Sequence, residues 1–344
     1  MKKLTFIIFL FCVGFGTWFL YSEIYTAEAA TSESITFQVE QGESVSALAD
    51  RLAEEQVIRH AWVFKKYLAW KGIDKDIRFG TFQVEAPITL HRVVESLANP
   101  SVIERTITIL PGWNLRDIAE YVEKEGIGTA EELYSLVGEP VLNYKTVGGD
   151  APKIEKDFEV LQDKLSYVSY EGYLAPETYR VYKDASLEDV VDRLIGHREK
   201  QFTDQMYIDI ERAGRTVYEV ITMASIVERE VRTTESRKKV ADIFWRRYDM
   251  NWALQADSTV HYVVGTSGSV FTTREDRDSL SPWNTYKYPG LPLGPISNPS
   301  LDSIMATIYP ESNDDWYFLT THEGEVKYAE SLEGHNMNRA RYLR

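Results

Sequence analysis

Val217, Val220, Ile221, Ala224 and Val227 recur at intervals of three and four, and that register puts Glu228 on the same helical face. Thr216 followed by Glu219 is a capping-box signature, so the spacing predicts a helix that starts there. Most carboxylates near a helix end turn outward to water. One held against apolar surface has its charged form disfavoured, and a glutamate kept protonated near neutral pH can act as a general acid. The chemistry on offer is donation of a proton to a leaving oxygen. Glu230, two residues on, falls on nearly the opposite side of the same helix and reads as structural.

The elements that must carry such a residue belong to an ordinary globular composition, 44% hydrophobic and 26% charged, in 344 residues, enough for two or more domains. A formal net charge of −15 and no basic patch with interleaved aromatics exclude a nucleic-acid partner. The 21 tyrosines and 8 tryptophans can stack on sugar rings or fill cores. The single cysteine, Cys12, allows no disulfide within the chain, and bulky Phe11 before it argues against a lipidation signal. His261, His322 and His335 show no ligand spacing, so neither a metal nor another cofactor is expected.

Lys2 and Lys3 precede Leu4 to Tyr21, a stretch without charge. A run of about 18 such residues can span a bilayer, and a signal-peptide core is usually shorter. Ala27-Glu28-Ala29 resembles a cleavage site. The expectation is nonetheless a retained single-pass plasma-membrane anchor with the basic end in the cytoplasm and the remainder outside the cell membrane.

After a polar linker at 22–34 the chain repeats itself. Ile35 to Val39 leads through Gly42 into Ser44 to Leu52; Thr106 to Ile109 leads through Gly112 into Asn114 to Val122, at the same offset throughout. Each copy reads as an alternating strand, a glycine turn, a Ser or Asn N-cap and an amphipathic helix, with Val57 and Ile127 closing the two units. The first copy continues with a helix near Ala61 to Lys71, an extended stretch at Gly80 to Val84 and a helix from Leu90 to Leu97 after Pro87. That order resembles the small LysM-like unit that binds glycan in wall proteins; a spacer setting distance from the membrane is the plainer alternative. The expected organisation is an anchor at 1–21, a linker at 22–34, a LysM-like module at 35–100, a second repeat and connecting region at 101–170, and a catalytic domain at 171–344. The fold class is α+β, with a mixed catalytic domain behind small α/β modules.

Several segments stand in a telling order: Glu171-Gly172-Tyr173-Leu174-Ala175-Pro176-Glu177-Thr178-Tyr179, then Ala224-Ser225-Ile226-Val227-Glu228-Arg229-Glu230. Leu254-Gln255-Ala256-Asp257-Ser258-Thr259, Asn284-Thr285-Tyr286, Gly290-Leu291-Pro292-Leu293-Gly294-Pro295-Ile296 with Pro299, and His335-Asn336 follow. In order and spacing they resemble the endolytic murein transglycosylase (YceG-like) family over nearly the whole chain. The pattern departs at Trp283, where a Tyr is expected before Asn284, at Ala256 and Ser258 around Gln255, and in a longer loop near 141–165.

The resemblance implies a lytic murein transglycosylase, a carbon–oxygen lyase acting on polysaccharides. Such an enzyme cleaves the bond between N-acetylmuramic acid and N-acetylglucosamine in nascent strands and leaves a 1,6-anhydromuramoyl end. It also implies that Glu228 is the catalytic glutamate, and that peptidoglycan strands, penicillin-binding proteins and the elongation machinery are partners. Gln255 can hydrogen-bond an acetamido group or a sugar hydroxyl. Asn284 and Tyr286, on a rigid loop, can shape a cleft wall or merely stabilise a turn. Glu171 and Tyr179 complete the candidate substrate-binding set. Asp257 reads either as part of that set or as the N-cap of the short apolar run Val260 to Val264 that Gly265 ends. Two rivals stand beside this reading: a non-catalytic glycan-binding scaffold, and a hydrolysing glycosidase with a second carboxylate from a loop such as that of Glu177.

Overall fold

The computed structural model describes residues 2–27, 34–40, 42–74, 77, 79–98, 104–183, 185–265 and 273–343. The chain divides into two compact units, residues 1–107 with 180–185 and residues 108–179 with 186–344. The expected boundary at 170/171 does not coincide with that division. Residues 108–170 pack with the C-terminal part because the hydrogen bonds around Glu171 and Asn298, described below, tie Trp113 and Leu115 into it.

The first unit opens with helix α1 (Lys2–Tyr25). The anchor expectation falls partly on residues 2–10 and Cys12, whose side chains lie outside the described residues, as do Glu28 and Ala29. Among the described residues no helix is long and apolar enough to cross a membrane. Strand β1 (Ile35–Val39), helices α2 (Val45–Glu54) and α3 (Ala61–Lys71), strand β2 (Gly80–Val84) and helix α4 (Leu90–Ala98) follow. β1 and β2 pair antiparallel from Ile35↔Val84 to Val39↔Gly80. Alternation turns Phe37, Val39, Phe82 and Val84 to one face, where Leu48, Leu52, Phe64, Leu68, Val93 and Val94 bury them.

The order β1-α2-α3-β2-α4 recurs as β3 (Glu104–Thr108), α5 (Leu115–Lys124), α6 (Ala130–Val137), β4 (Thr178–Tyr182) and α7 (Leu187–Gln201). β3 pairs with β4. The caps foreseen in both copies are present: Ser44 accepts from Ala47 N–H, and Asn114 forms a full capping box with Asp117. Val57 N–H closes on Leu52 O, and Ile127 N–H on Val122 O, each at 2.9 Å. The second copy differs by the stretch between α6 and β4, which carries short 3-10 turns at Tyr144–Val147 and Glu159–Leu161.

The second unit continues with α8 (Asp204–Arg212), α9 (Val217–Glu230), α10 (Thr234–Asp249), α11 (Asp257–Val264), α12 (Arg274–Arg277), α13 (Leu301–Ile308), β5 (Tyr317–Thr320), β6 (Val326–Ala329) and α14 (Leu332–Tyr342). β5 and β6 pair antiparallel. Helix α9 starts at the predicted Thr216–Glu219 capping box. It is buried on every side from Val217 to Val227, with the exception of Glu219, rather than along one stripe. Its neighbours are α8, α10, α11 and α13. The Pro- and Gly-rich stretch before α13 lies along it: Ile296 N–H donates to Ser225 Oγ at 3.0 Å, and Ser297 Oγ–H to Ser225 O at 3.1 Å. Gly172, at φ +89°, lets a third segment approach; a Cβ there would stand 2.7 Å from Pro295 and 2.8 Å from Ile221.

Candidate active site

Glu228 lies in the last turn of α9, with its side chain 5% exposed. Polar partners, not the apolar surface expected, surround its carboxylate. Arg237 of α10 donates from Nη2 to Oε1 at 2.7 Å. Ser300 donates to Oε2 twice, from its backbone N–H at 2.9 Å and from its hydroxyl at 2.5 Å. Ser300 is also the N-cap of α13, where its Oγ accepts from Ser303 N–H. The carboxylate therefore caps the positive end of that helix as well. The other Arg237 nitrogen, Nη1, binds Asp302 Oδ2, which also accepts from Thr234 Oγ1. Gly112, at φ +80°, passes close beside Glu228: a Cβ there would lie 3.6 Å from Glu228 Cγ, and Arg229 Nη1 donates to Gly112 O at 3.1 Å.

Behind this cradle lies a buried polar hub. Asn298 N–H donates to Trp113 O at 2.7 Å, and Gly112 N–H returns a bond to Asn298 O at 2.9 Å. The Asn298 side chain accepts from Leu174 N–H and donates to Trp113 O and to Glu171 Oε1 at 3.0 Å. Glu171, 1% exposed, also accepts from Leu115 N–H and from the Tyr262 hydroxyl on Oε2. Burial pushes the Glu171 carboxyl up to about 8, against the pull of the Leu115 and Tyr262 hydrogen bonds. Glu230 faces away from Glu228's partners: its Oε1 accepts from Ser258 Oγ at 2.7 Å, and burial raises its carboxyl above the usual range.

The remaining sequence candidates fall into separate groups. Gln255 and the Asn284–Tyr286 loop are brought together, with Gln255 N–H on Thr285 O at 3.2 Å and Ala256 N–H on Thr285 Oγ1 at 3.1 Å. Gln255 is exposed and held at φ +55°, a conformation a non-glycine residue keeps only where its surroundings impose it. Asn284 is buried and spends its amide on the carbonyls of Arg277 and Ser279 and on Tyr286 N–H. Tyr286 donates to Asp257 Oδ1 at 2.9 Å. Asp257 is the first residue of α11, not its N-cap: Ala256 holds the cap position, and Asp257 turns instead to Tyr286. Tyr179 is buried, with its hydroxyl on Ala175 O and its ring edge-on to His197. Glu171 and Tyr179 thus sit inside the protein, and Glu171 alone of the two connects, through Asn298, to the loop that delivers Ser300. Glu177 is exposed, and its Oε1 accepts from Thr178 N–H.

Sequence reasoning missed Arg237, Asn298 and Ser300. Ser300 carried a readable signal, a serine directly before the apolar run Leu301 to Ile308. Arg237 sits in the basic segment Arg237-Lys238-Lys239, and nothing in that pattern separates it from its neighbours.

Chemically, the cradle fixes one carboxylate in place with a guanidinium, a backbone N–H and a hydroxyl. The hydroxyl can donate to a carboxylate or accept from a carboxylic acid, so the arrangement serves both states of a group that gives and then takes a proton.

The endolytic murein transglycosylase of Streptococcus pneumoniae serotype 2 (strain D39 / NCTC 7466) is 27% identical, over 99% of this chain. The chain spans 65% of that relative's length. The endolytic murein transglycosylase of Bacillus subtilis (strain 168) is 28% identical, over 95% of this chain and 91% of its own. A crystal structure of a putative YceG-like protein from Listeria monocytogenes matches with a TM-score of 0.56 and 27% identity, covering 89% of this chain and 99% of that one. The model of the YceG-like family matches residues 37–341, a span that takes in nearly all of the first repeat, the whole of the second, Glu228 and its cradle. The chain belongs to the YceG-like family.

Proposed function

We propose that this protein is an endolytic lytic transglycosylase of peptidoglycan, with Glu228 as its acid and then its base. The observation that carries the reading is the built cradle at Glu228, formed by Arg237 and Ser300 at the end of a buried helix. The activity for which the streptococcal and bacillar relatives are named supports it. In the reaction Glu228 gives its proton to the leaving glycosidic oxygen as the C1–O4 bond breaks. The carboxylate so formed takes the proton of the muramoyl 6-hydroxyl while O6 bonds to C1, closing the anhydro ring. No water enters, so one carboxylate suffices, whereas a hydrolase places two on opposite sides of the sugar. Asp302, the carboxylate that shares Arg237 with Glu228, sits on the same guanidinium rather than across a gap from it.

The reading extends to the first helix. The uncharged stretch Leu4 to Tyr21 lies within one continuous helix, and exposed Trp18, Tyr21 and Tyr25 stand toward its C-terminal end, as aromatic residues do at a membrane surface. This supports a single-pass plasma-membrane anchor with the bulk of the chain outside. The strand–helix–helix–strand order supports a LysM-like module at 35–100 that engages glycan. Penicillin-binding proteins and the elongation machinery are the partners this placement suits. Mass spectrometry of uncrosslinked glycan digested by the full chain tests the reaction: anhydro ends support it, whereas reducing ends or intact strands rule it out.

A further inference from the structure

Arg198 is a charge that the site described so far does not use. It lies on the apolar face of α7 with Val191, Leu194 and Ile195, and it is 0% exposed. Burying a guanidinium costs several kcal/mol unless partners compensate. Among the described residues it has no ion-pair partner, and its Nε makes no hydrogen bond. Its Nη1 donates to Gln201 Oε1 at 2.6 Å and its Nη2 to Pro299 O at 2.7 Å. Burial pulls the guanidinium down to about 10, against the smaller opposing effects of Tyr179, Glu228 and Tyr173.

The second of those contacts leads to the active carboxylate. The Pro299 carbonyl and the Ser300 N–H belong to one planar peptide unit. Arg198 binds its oxygen, and its N–H binds Glu228 Oε2 at 2.9 Å. The chain of contacts runs from cation to carbonyl, through the amide, to carboxylate. Each member polarises the next in a site with little water to screen it.

We propose that Arg198 is a positioning residue for Glu228, acting through the Pro299–Ser300 peptide unit. It fixes where Oε2 sits and stabilises the negative charge left on Glu228 when the proton has gone to the leaving oxygen. It touches neither substrate nor the reacting atoms. This inference rests on the reading of Glu228 as the acid.

The test compares full-length wild type with Arg198→Lys, which keeps a cation, and with Arg198→Gln and Arg198→Met, which do not. Glu228→Gln is run beside them. A buried ion replaced by an apolar side chain of similar volume often leaves stability intact, so Arg198→Met guards against loss of fold in the Gln variant. Release of anhydromuramoyl ends is followed against pH and substrate, together with thermal midpoints. In the neutral variants kcat falls by about fivefold to tenfold with KM unchanged, the difference between a charge-assisted and a neutral hydrogen bond. The limb on which the rate falls as Glu228 loses its proton moves to higher pH. Arg198→Lys restores most of kcat and returns that limb toward wild type.

Neutral variants that fold and keep the wild-type kcat and limb overturn the proposal while Glu228→Gln stays inactive. So does a fall in kcat with no movement of the limb, which is what a mere tie between α7 and the loop would give. If neither neutral variant folds, the residue serves the fold itself and the assignment fails. An active Glu228→Gln, by contrast, strikes the reading of Glu228 and not the polarised peptide.

Discussion

Glu228 and Glu230 stand two residues apart on α9 and answer to different partners. Glu228 Oε2 is held by Ser300, whereas Glu230 Oε1 is held by Ser258 at 2.7 Å. The same helix therefore presents two nearly buried carboxyls to two separate neighbourhoods. Glu228→Gln keeps the size of the group and removes the transferable proton, so the release of anhydromuramoyl ends falls by about 10²–10⁴. Glu230→Gln still accepts from Ser258 through its amide oxygen, so its loss is far milder. Counting ends released by each variant decides the matter, and a dead Glu230→Gln beside an active Glu228→Gln reverses the assignment.

Ser300 couples a cap to the candidate site. Ser300→Ala keeps the backbone N–H on Glu228 but removes both the hydroxyl bond to Oε2 and the cap on Ser303 N–H. Loss of an N-cap costs about 1 kcal/mol of stability. If the hydroxyl also serves Glu228 in both protonation states, kcat falls with KM little changed and beyond anything the thermal midpoint accounts for. Full activity in a measurably less stable Ser300→Ala reduces the hydroxyl to a helix cap.

How much of this was legible in the sequence follows from what periodicity reports. Local signals worked where the partners are close along the chain: the Thr216–Glu219 box, the two capped repeats and the Gly265 stop all appear as expected. The candidate glutamate stands at an apolar register in the sequence, but its carboxylate meets Arg237 and Ser300 rather than apolar surface. The same criterion reaches Arg198, four residues after Leu194 and seven after Val191. What the sequence hid was long-range pairing. Asn298 meets Trp113 and Glu171, and Arg237 meets Glu228 across a helix turn-back, through contacts that leave no periodic trace. Asp257 reads as a cap from the apolar run after it, but it is the first residue of α11 and its side chain meets Tyr286 and Arg277.

The anchor reading makes a separate expectation. If Leu4 to Tyr21 spans the bilayer, the full-length chain stays in membranes washed with alkaline carbonate. A mature chain that begins at Ala30, found by N-terminal sequencing, shows instead that the span is removed.

Glu171 gives the protein a pH dependence of known sign. Its carboxyl is held up to about 8 in the folded state, above its ordinary value of 4.5. A group raised in this way binds its proton more tightly when folded. Its contribution to stability is complete below the unfolded value and is lost as pH rises through about 8. Glu171→Gln does not titrate, and its amide meets three donors where the acid met them with two oxygens, so it is less stable than wild type at low pH. The gap between the two narrows from pH 5 toward pH 8, over the window those two values set. Thermal midpoints across that range check it, and a gap that stays constant shows that Glu171 does not titrate there.

The sharpest structural test is at Asn298. Its amide nitrogen donates to Trp113 O at 3.1 Å and to Glu171 Oε1 at 3.0 Å, and its oxygen accepts from Leu174 N–H at 2.9 Å. Asn298→Ala empties all three bonds and leaves Glu171 and Leu174 short of partners, a cost of about 1–3 kcal/mol for each buried group left unsatisfied. Asn298→Asp keeps the bond to Leu174 but turns the donor into an acceptor facing a carboxyl. While Glu171 holds its proton, it can donate to the new carboxylate, and the two share one hydrogen between them. As pH rises that proton is lost only above the wild-type value of about 8, because the new carboxylate opposes a second charge beside it, and two negative charges are then left in contact within a buried site. Asn298→Asp should therefore be the milder variant at pH 5 and the worse one well above pH 8, with the order of the two reversing between. Unfolding of both variants in urea at the two pH values measures this. If Asn298→Asp and Asn298→Ala keep the same order throughout, Glu171 does not hold its proton at pH 5 beside the new carboxylate.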